Sequence, residues 1–364
     1  MLLVGDHDGF AAALRDALAA HGYRSSRAAS GGGAVVALKD ALARGSRSGR
    51  AWTAVVVVLS VISLSGCGSD EAPLPPRSLR IATGNAGGVY AAYGEGLAGI
   101  VNRRLPRLRA SVLHTDGSVA NLRRLATGRA EVAFTLADSA ADALRGAGRF
   151  SERVSIAAVA RLYDNYVQLI VGRDAKIGRV EDLAGRDISI GAPGSGTALI
   201  AQRVLKLAHL VGAQAPRRRT LDVDRSAAAL ASGQIAAFFW SGGLPTPAIE
   251  RLARNVPIKL LDMGGVGSQL NRRYGDLYTQ TRIPRTAYGR AGAVRTVSVA
   301  NFLVVRRDLD DETAYRLTRL LFERHDELKR AHPEAARLNA RAAIATSPVA
   351  LHRGARRWYQ QARR

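Results

Sequence analysis

The sequence predicts an α/β protein with mostly parallel strands, on three observations. Short β-rich runs of Val, Ile and Ala alternate with longer segments whose apolar residues recur at helical spacing. Apolar residues make up 47% of the 364 positions, ample for a folded core. The length accommodates about two domains. In order, the strand candidates are 79–82, 110–113, 132–135, 155–160, 167–171, 188–190, 236–240, 258–261 and 297–305. Helical patterns fill the spaces, among them 90–103, 119–127 and 197–207. No repeat period is evident.

Charge is the first feature to weigh. The chain has 53 Lys+Arg against 30 Asp+Glu, a net +23. Only Lys39, Lys176, Lys206, Lys259 and Lys329 are lysines; the rest are scattered arginines, as GC-rich codons produce. The densest run, Arg217–Arg219, has no aromatic interleaving. A nucleic-acid binder concentrates charge on one face or stripe, so the basic excess reads as solvated surface with no nucleic-acid partner.

The segment AWTAVVVVLSVISLSG at 51–66 has no charge, follows Arg44, Arg47 and Arg50, and precedes Cys67. A basic region, a short apolar region and small residues describe an export signal. The stretch is short for a spanning helix, which needs about 20 apolar residues. Leu64-Ser65-Gly66-Cys67 resembles the lipobox of bacterial lipoproteins, which implies lipidation of the single cysteine and cleavage before it. Residues 39–67 are thus expected to be a lipoprotein signal peptide. The polar, Pro-rich residues 68–76 would be a tether. The expected location is extracytoplasmic, lipid-anchored to the cell envelope.

Residues 1–38 resemble the first strand and helix of a response-regulator receiver domain. The pattern is damaged: Gly5 stands where one of two adjacent acidic residues belongs, beside Asp6. The third strand and its phosphoacceptor are displaced by the signal. A true start near Val35, Val36 or Leu38 is expected, with the residues before it a vestige or a misplaced leader.

Two Gly-rich strand-to-helix turns carry the chemistry. One runs Ile81-Ala82-Thr83-Gly84-Asn85-Ala86-Gly87-Gly88-Val89-Tyr90, the other Ile190-Gly191-Ala192-Pro193-Gly194-Ser195-Gly196-Thr197. Each offers backbone N–H groups at a helix start, where an anion binds well. Neither is a Walker P-loop and neither completes G-x-G-x-x-G. Lying in separate α/β segments, they suggest two lobes closing on one small anionic ligand. Taken singly, each is explained as well by turn geometry.

An enzyme is not expected. His114, His209, His325, His332 and His352 form no close ligand pair, so a zinc site lacks support. Gly194-Ser195-Gly196 is not a nucleophile elbow. No acid–base pair, cofactor or metal is indicated.

The motifs LRIATGNAGGVYAAYGEGLA, GSVANLRRLATGRAEVAFTLAD, LYDNYVQLIVGRD, VEDLAGRDISIGAPGSGTA, GQIAAFFWSGGLPTPAI and LHRGARRWYQ occur in that order from Leu79 to Tyr359. Together they resemble the TAXI family of TRAP-transporter solute-binding proteins. The resemblance implies a two-lobed periplasmic-binding-protein fold, type II-like, with a ligand cleft between lobes. Lobe one would hold 77–165 and 307–364, and lobe two 166–306, with hinge strands at 166–172 and 297–306. It implies a small carboxylate ligand, glutamate-like or dicarboxylate, delivered to TRAP membrane subunits. A membrane sensor kinase is the alternative partner. The ligand-binding residues carried over are Thr83, Gly84, Asn85, Gly88, Val89, Tyr90, Ser118, Asn121 and Tyr163 from lobe one, and Gly194, Ser195, Gly196, Thr197 and Trp240 from lobe two. Core packing explains Tyr90 and Trp240 equally well. Leu136-Ala137-Asp138 departs from the family's Gln-Ser-Asp, so a less polar or differently shaped ligand is expected, and Asp116-Gly117-Ser118 departs from its Gly-Gly-Ser, which adds a negative charge near the cleft.

Overall fold

Residues 77–86, 88–289 and 293–362 are described by a computed structural model. The readings placed on 1–38, 39–67 with Cys67, and 68–76 lie outside them.

The first lobe opens with β1 (Arg77–Ala82), α1 (Val89–Arg104), β2 (Leu108–Leu113), α2 (Ser118–Ala126), β3 (Val132–Leu136) and α3 (Ala137–Arg145). A long strand, β4 (Ile156–Gly172), leads into the second lobe. That lobe contains β5 (Asp187–Ser189), α4 (Gly196–Leu207), β6 (Arg217–Arg219), α5 (Val223–Ala231), β7 (Ala237–Gly242), α6 (Pro247–Asn255), β8 (Ile258–Leu260), α7 (Val266–Tyr274) and β9 (Tyr278–Ile283). A second long strand, β10 (Val294–Arg306), returns to α8 (Asp311–Glu323), α9 (His325–Ala331), α10 (Ala340–Ala343) and α11 (Arg353–Gln361).

All ten strands join one sheet in the order β2-β1-β3-β10-β4-β7-β5-β6, with β8 also on β4 and β9 on β10. The expectation of mostly parallel strands needs correction. The outer pairs are parallel: β1 with β2 and β3, β5 with β6 and β7. Every strand pairing of β4 and β10 is antiparallel, and β4 adds one isolated parallel bridge from Ala158 to Leu351. The chain crosses between lobes twice in opposite directions, and these two strands are the crossings. β10 pairs with β9 through Val294–Val299 and with β3 through Asn301–Val305. β4 pairs with β10 up to Tyr166 and with β7 from Tyr166 onward.

β4 is continuous where the sequence pattern suggests two strands, at 155–160 and 167–171. The polar residues between them break the apolar run without breaking the strand, because the sheet satisfies them. Arg161 Nη2 donates to Asp164 at 2.8 Å, and Asn165 Nδ2 donates to the Ser241 carbonyl at 3.1 Å. β6 and β9 carry no sequence signal: β6 is three exposed arginines, and β9 has a polar middle. The arginine run is a charged edge strand, a common protection against edge pairing. Arg217 Nη2 pairs with Asp187 at 2.6 Å.

Three apolar clusters cover the sheet. One holds α1 against Phe134, Tyr163, Leu303 and the helices that follow β10. Another sits under α5 and α6, around Ile170 and Phe238. The third crosses the lobes, joining Val119, Leu122, Leu136 and Ala140 of the first to Ile200, Val204, Phe239 and Leu270 of the second. Each fully buried Leu or Ile there contributes about 1.5–3 kcal/mol. The lobes therefore meet through packed apolar surface as well as through the two strands.

Candidate functional site

The first Gly-rich turn follows β1. Thr83 is fully buried, its N–H and Oγ1 both donating to the Leu113 carbonyl, at 2.9 and 3.2 Å. Gly88 starts α1 without a capping side chain, and its N–H donates to the Asn85 carbonyl at 3.1 Å. An uncapped helix start leaves first-turn N–H groups available to a ligand. Gly84 lies against Tyr90, where an added Cβ would be 3.5 Å from the Tyr90 Cβ and 3.6 Å from ring Cδ2. The Tyr90 hydroxyl donates to Asn301 Oδ1, and its ring meets Phe134 at 5.3 Å. Burial pushes the Tyr90 phenol far above its ordinary range, so it acts as a neutral donor.

A third turn, between β2 and α2, joins this one. Gly117 has φ 122°, a conformation that glycine adopts without strain. Ser118 Oγ accepts the Leu136 N–H at 3.1 Å. Asn121 is fully committed to the fold: Nδ2 donates to the Thr83 and Phe134 carbonyls, and Oδ1 accepts the Thr115 hydroxyl. It shapes the turn and has little left for a ligand. Tyr163 lies in the apolar cluster beneath, stacked on Tyr93 with ring centres 6.4 Å apart. Burial raises the Tyr163 phenol, and its hydroxyl has no hydrogen-bond partner among the described residues.

The second-lobe turn meets the first lobe directly. The Gly194 carbonyl accepts the N–H groups of Val119 and Ala120, at 3.1 and 3.0 Å. Ser195 caps α4, accepting the Ala198 N–H at 3.0 Å and donating to the Ala192 carbonyl at 2.7 Å. Thr197 Oγ1 accepts the Ser241 N–H at 3.1 Å. Gly196 is a close approach: a Cβ would stand 2.4 Å from Leu136 Cδ1 and 3.0 Å from Ser118 Oγ, both in the other lobe. The structure thus gathers the turn residues of both lobes, but as a lobe-to-lobe contact. At the α2 start, the Gly194 carbonyl takes the donors that an anion would use. Trp240 stands apart. Its Nε1 donates to Thr246 Oγ1 at 2.9 Å, and its ring packs in the α5–α6 cluster, on the opposite sheet face from Phe239.

Two seams hold the lobes together, and sequence reasoning missed both. In the first, Arg203 of α4 reaches across to α3. Its Nη2 is 2.5 Å from Asp142 and its Nη1 3.4 Å from Asp138. Arg203 Nη1 also donates to the Tyr278 hydroxyl at 2.6 Å, which in turn donates to Asp138 at 2.9 Å. The Ser139 N–H donates to the other Asp138 oxygen at 2.6 Å. Arg203 is 6% exposed and Asp138 not at all. Burial opposes the Arg203 charge, but Asp138, Tyr278 and Asp142 more than restore it. One signal was legible: Arg203 falls within the apolar stripe of α4, between Ile200 and Val204, where a charge needs a buried partner.

In the second seam Glu334, 5% exposed, accepts the Leu244 N–H at 3.2 Å across the lobes. Arg337 lies 2.7 Å from its other oxygen. Burial outweighs Arg337 and raises the Glu334 carboxyl above its usual range. A carboxyl with a raised folded-state pKa stabilises most when protonated. Its contribution is complete at low pH and is lost as pH rises through and above the ordinary glutamate range. The melting temperature of wild type should therefore fall relative to that of Glu334→Gln as pH rises from the ordinary glutamate range upward. Parallel pH profiles for the two proteins would show that Glu334 carries no such linkage.

A family model described as the NMT1-like family matches residues 81–362. The fold is also similar to solved structures of low identity. MatC from Rhodopseudomonas palustris, solved with bound malate, is 13% identical, covers 79% of this chain and 98% of its own, and gives a TM-score of 0.49. A binding-protein component of an ABC phosphonate transporter from Pseudomonas aeruginosa is 13% identical, with 71% and 79% covered and a TM-score of 0.48. The periplasmic aliphatic sulphonate binding protein SsuA from Escherichia coli is 16% identical, with 79% and 83% covered and a TM-score of 0.43.

Proposed function

The chain belongs to the NMT1-like family, and within it we propose that this protein is an extracytoplasmic solute-binding receptor for a small carboxylate. The observation that carries the reading is the meeting of strand-to-helix turns from different lobes, the second Gly-rich turn with the Gly117–Ser118 turn: Gly194 on the start of α2 and Gly196 on Ser118 and Leu136. The lobes share two antiparallel crossing strands, the kind of connection about which two bodies open and close. The ordered motifs from Leu79 to Tyr359 support the finer assignment to the TAXI type, with delivery to TRAP membrane subunits. The Cys67 lipobox supports a lipid anchor.

In this reading the lobes part to admit the ligand. The first turn of α1 takes the carboxylate through the backbone N–H groups of Val89 and Tyr90, while the Gly88 N–H closes the turn on the Asn85 carbonyl. The Tyr90 hydroxyl gives its single proton to Asn301 Oδ1, and Asn301 Nδ2 donates to Asn165 at 2.9 Å, so this pair shapes the wall of the cleft and leaves the carboxylate to the backbone donors. Leu136 and Ala137 give the cleft an apolar wall. Closure then remakes the contacts of Gly194 and the Arg203 seam.

A thermal-shift screen of amino acids and dicarboxylates tests the ligand class. Ligand at 100 times Kd adds about 2.7 kcal/mol to the folded state. For a protein of this size that raises Tm by roughly 2–4 °C per kcal/mol. At least one carboxylate should do so. A panel with no shift, beside a nucleotide or lipid that shifts, would overturn the class.

A further inference from the structure

Beyond the Arg203 seam, the two lobes border an open groove of about 650 Å³. Its walls are the end of α3 and the loop after it on one side, and the last turns of α4 and α7 on the other. Among its lining residues are Asp142, Arg145, Arg149, Arg203, Lys206 and Arg273. The floor is already balanced, because Arg203 faces Asp138 and Asp142, and Arg145 approaches Asp142 at 3.2 Å. The walls are not. Among the described residues, Arg149, Lys206 and Arg273 form no ion pair with a carboxylate, and all three are exposed. Arg149 belongs to the first lobe, and its Nη2 reaches the second-lobe Pro193 carbonyl at 3.3 Å. Lys206 and Arg273 belong to the second.

The geometry points to a second anion site in this groove, separate from the Gly-rich turns, for a compact multivalent anion with phosphate-type groups. A single lobe holds only part of the cation set. An anion touching both walls binds the closed arrangement more tightly and therefore favours closure. The site rests on the proposal that the lobes open and close, and not on the identity of the carboxylate ligand.

Inorganic pyrophosphate is the probe, titrated by calorimetry at constant ionic strength into wild type, Lys206→Glu/Arg273→Glu and Arg218→Glu/Arg219→Glu. The last pair makes the same charge change on the exposed edge strand β6, whose residues do not line the groove. Binding to wild type should weaken about tenfold or more in the first variant and little in the second, beyond what screening of exposed charges allows. Pyrophosphate alone should also lower the radius of gyration of wild type. Equal loss in both variants would reduce the effect to the general positive field. No binding to wild type, or binding by an acidic peptide where pyrophosphate fails, would overturn the site. Pyrophosphate binding in a protein that answers to no carboxylate would leave this site standing and remove only the proposed ligand class.

Discussion

Arg203→Ala is expected to weaken ligand binding about 100-fold or more. Removing one partner from a buried ion network costs about 3–5 kcal/mol, because the remaining charges lose their compensation. Each 1.4 kcal/mol is about tenfold in affinity. Here Asp138 and Asp142 would be left facing each other in an almost dry seam. The network joins α3 of one lobe to α4 and β9 of the other, so opening the lobes relieves the stress. The loss should thus fall on closure more than on folding: each lobe keeps its own parallel strands and an apolar cluster of its own. Calorimetric titration with the carboxylate, alongside a melt of the unliganded variant, separates the two. Wild-type affinity in a folded Arg203→Ala protein would show that the seam does not govern closure. Arg203→Met with Asp138→Asn and Asp142→Asn should recover much of the loss, since a neutral seam leaves no buried unpaired charge.

Gly196→Val is expected to weaken binding about tenfold or more. The added Cβ would overlap Leu136 Cδ1 at 2.4 Å and crowd Ser118 Oγ at 3.0 Å. Both neighbours lie in the opposite lobe, so the variant folds and fails to close. Gly88→Val meets only the Asn85 carbonyl, at 3.2 Å. The neighbour there is in the same turn and yields by a few tenths of an ångström. Sequence reasoning treats the two glycines alike, but the structure separates them. Gly196 is needed for contact between lobes, and Gly88 for the shape of one turn. Equal affinities for wild type and a natively melting Gly196→Val protein would remove this turn from the closing surface.

Much of the fold is legible because strand and helix periods differ and the Gly-rich turns punctuate them. β1, β2, β3, β5, β7, β8 and β10 all begin within three residues of an apolar run that the pattern picks out. β6 is invisible because its three solvated arginines carry no apolar signal. β4 is misread as two strands because Arg161, Asp164 and Asn165 look like a loop until their partners are known. The site is less legible. The turn residues are found because glycine at a helix start has few other reasons to cluster. Asn121 is found too, but its three bonds serve the fold. Arg203, Asp138, Asp142 and Tyr278 stay hidden, because up to 140 residues of sequence separate groups that meet in space. Only tertiary structure brings such groups together, and helical position alone marks Arg203 as unusual.

Small-angle X-ray scattering, before and after addition of the carboxylate that raises Tm, tests closure of the lobes most directly. Wild type should show a smaller radius of gyration at saturating ligand, and Gly196→Val should keep the larger one. An unchanged radius in wild type, with ligand demonstrably bound, would contradict a cleft that closes on its solute.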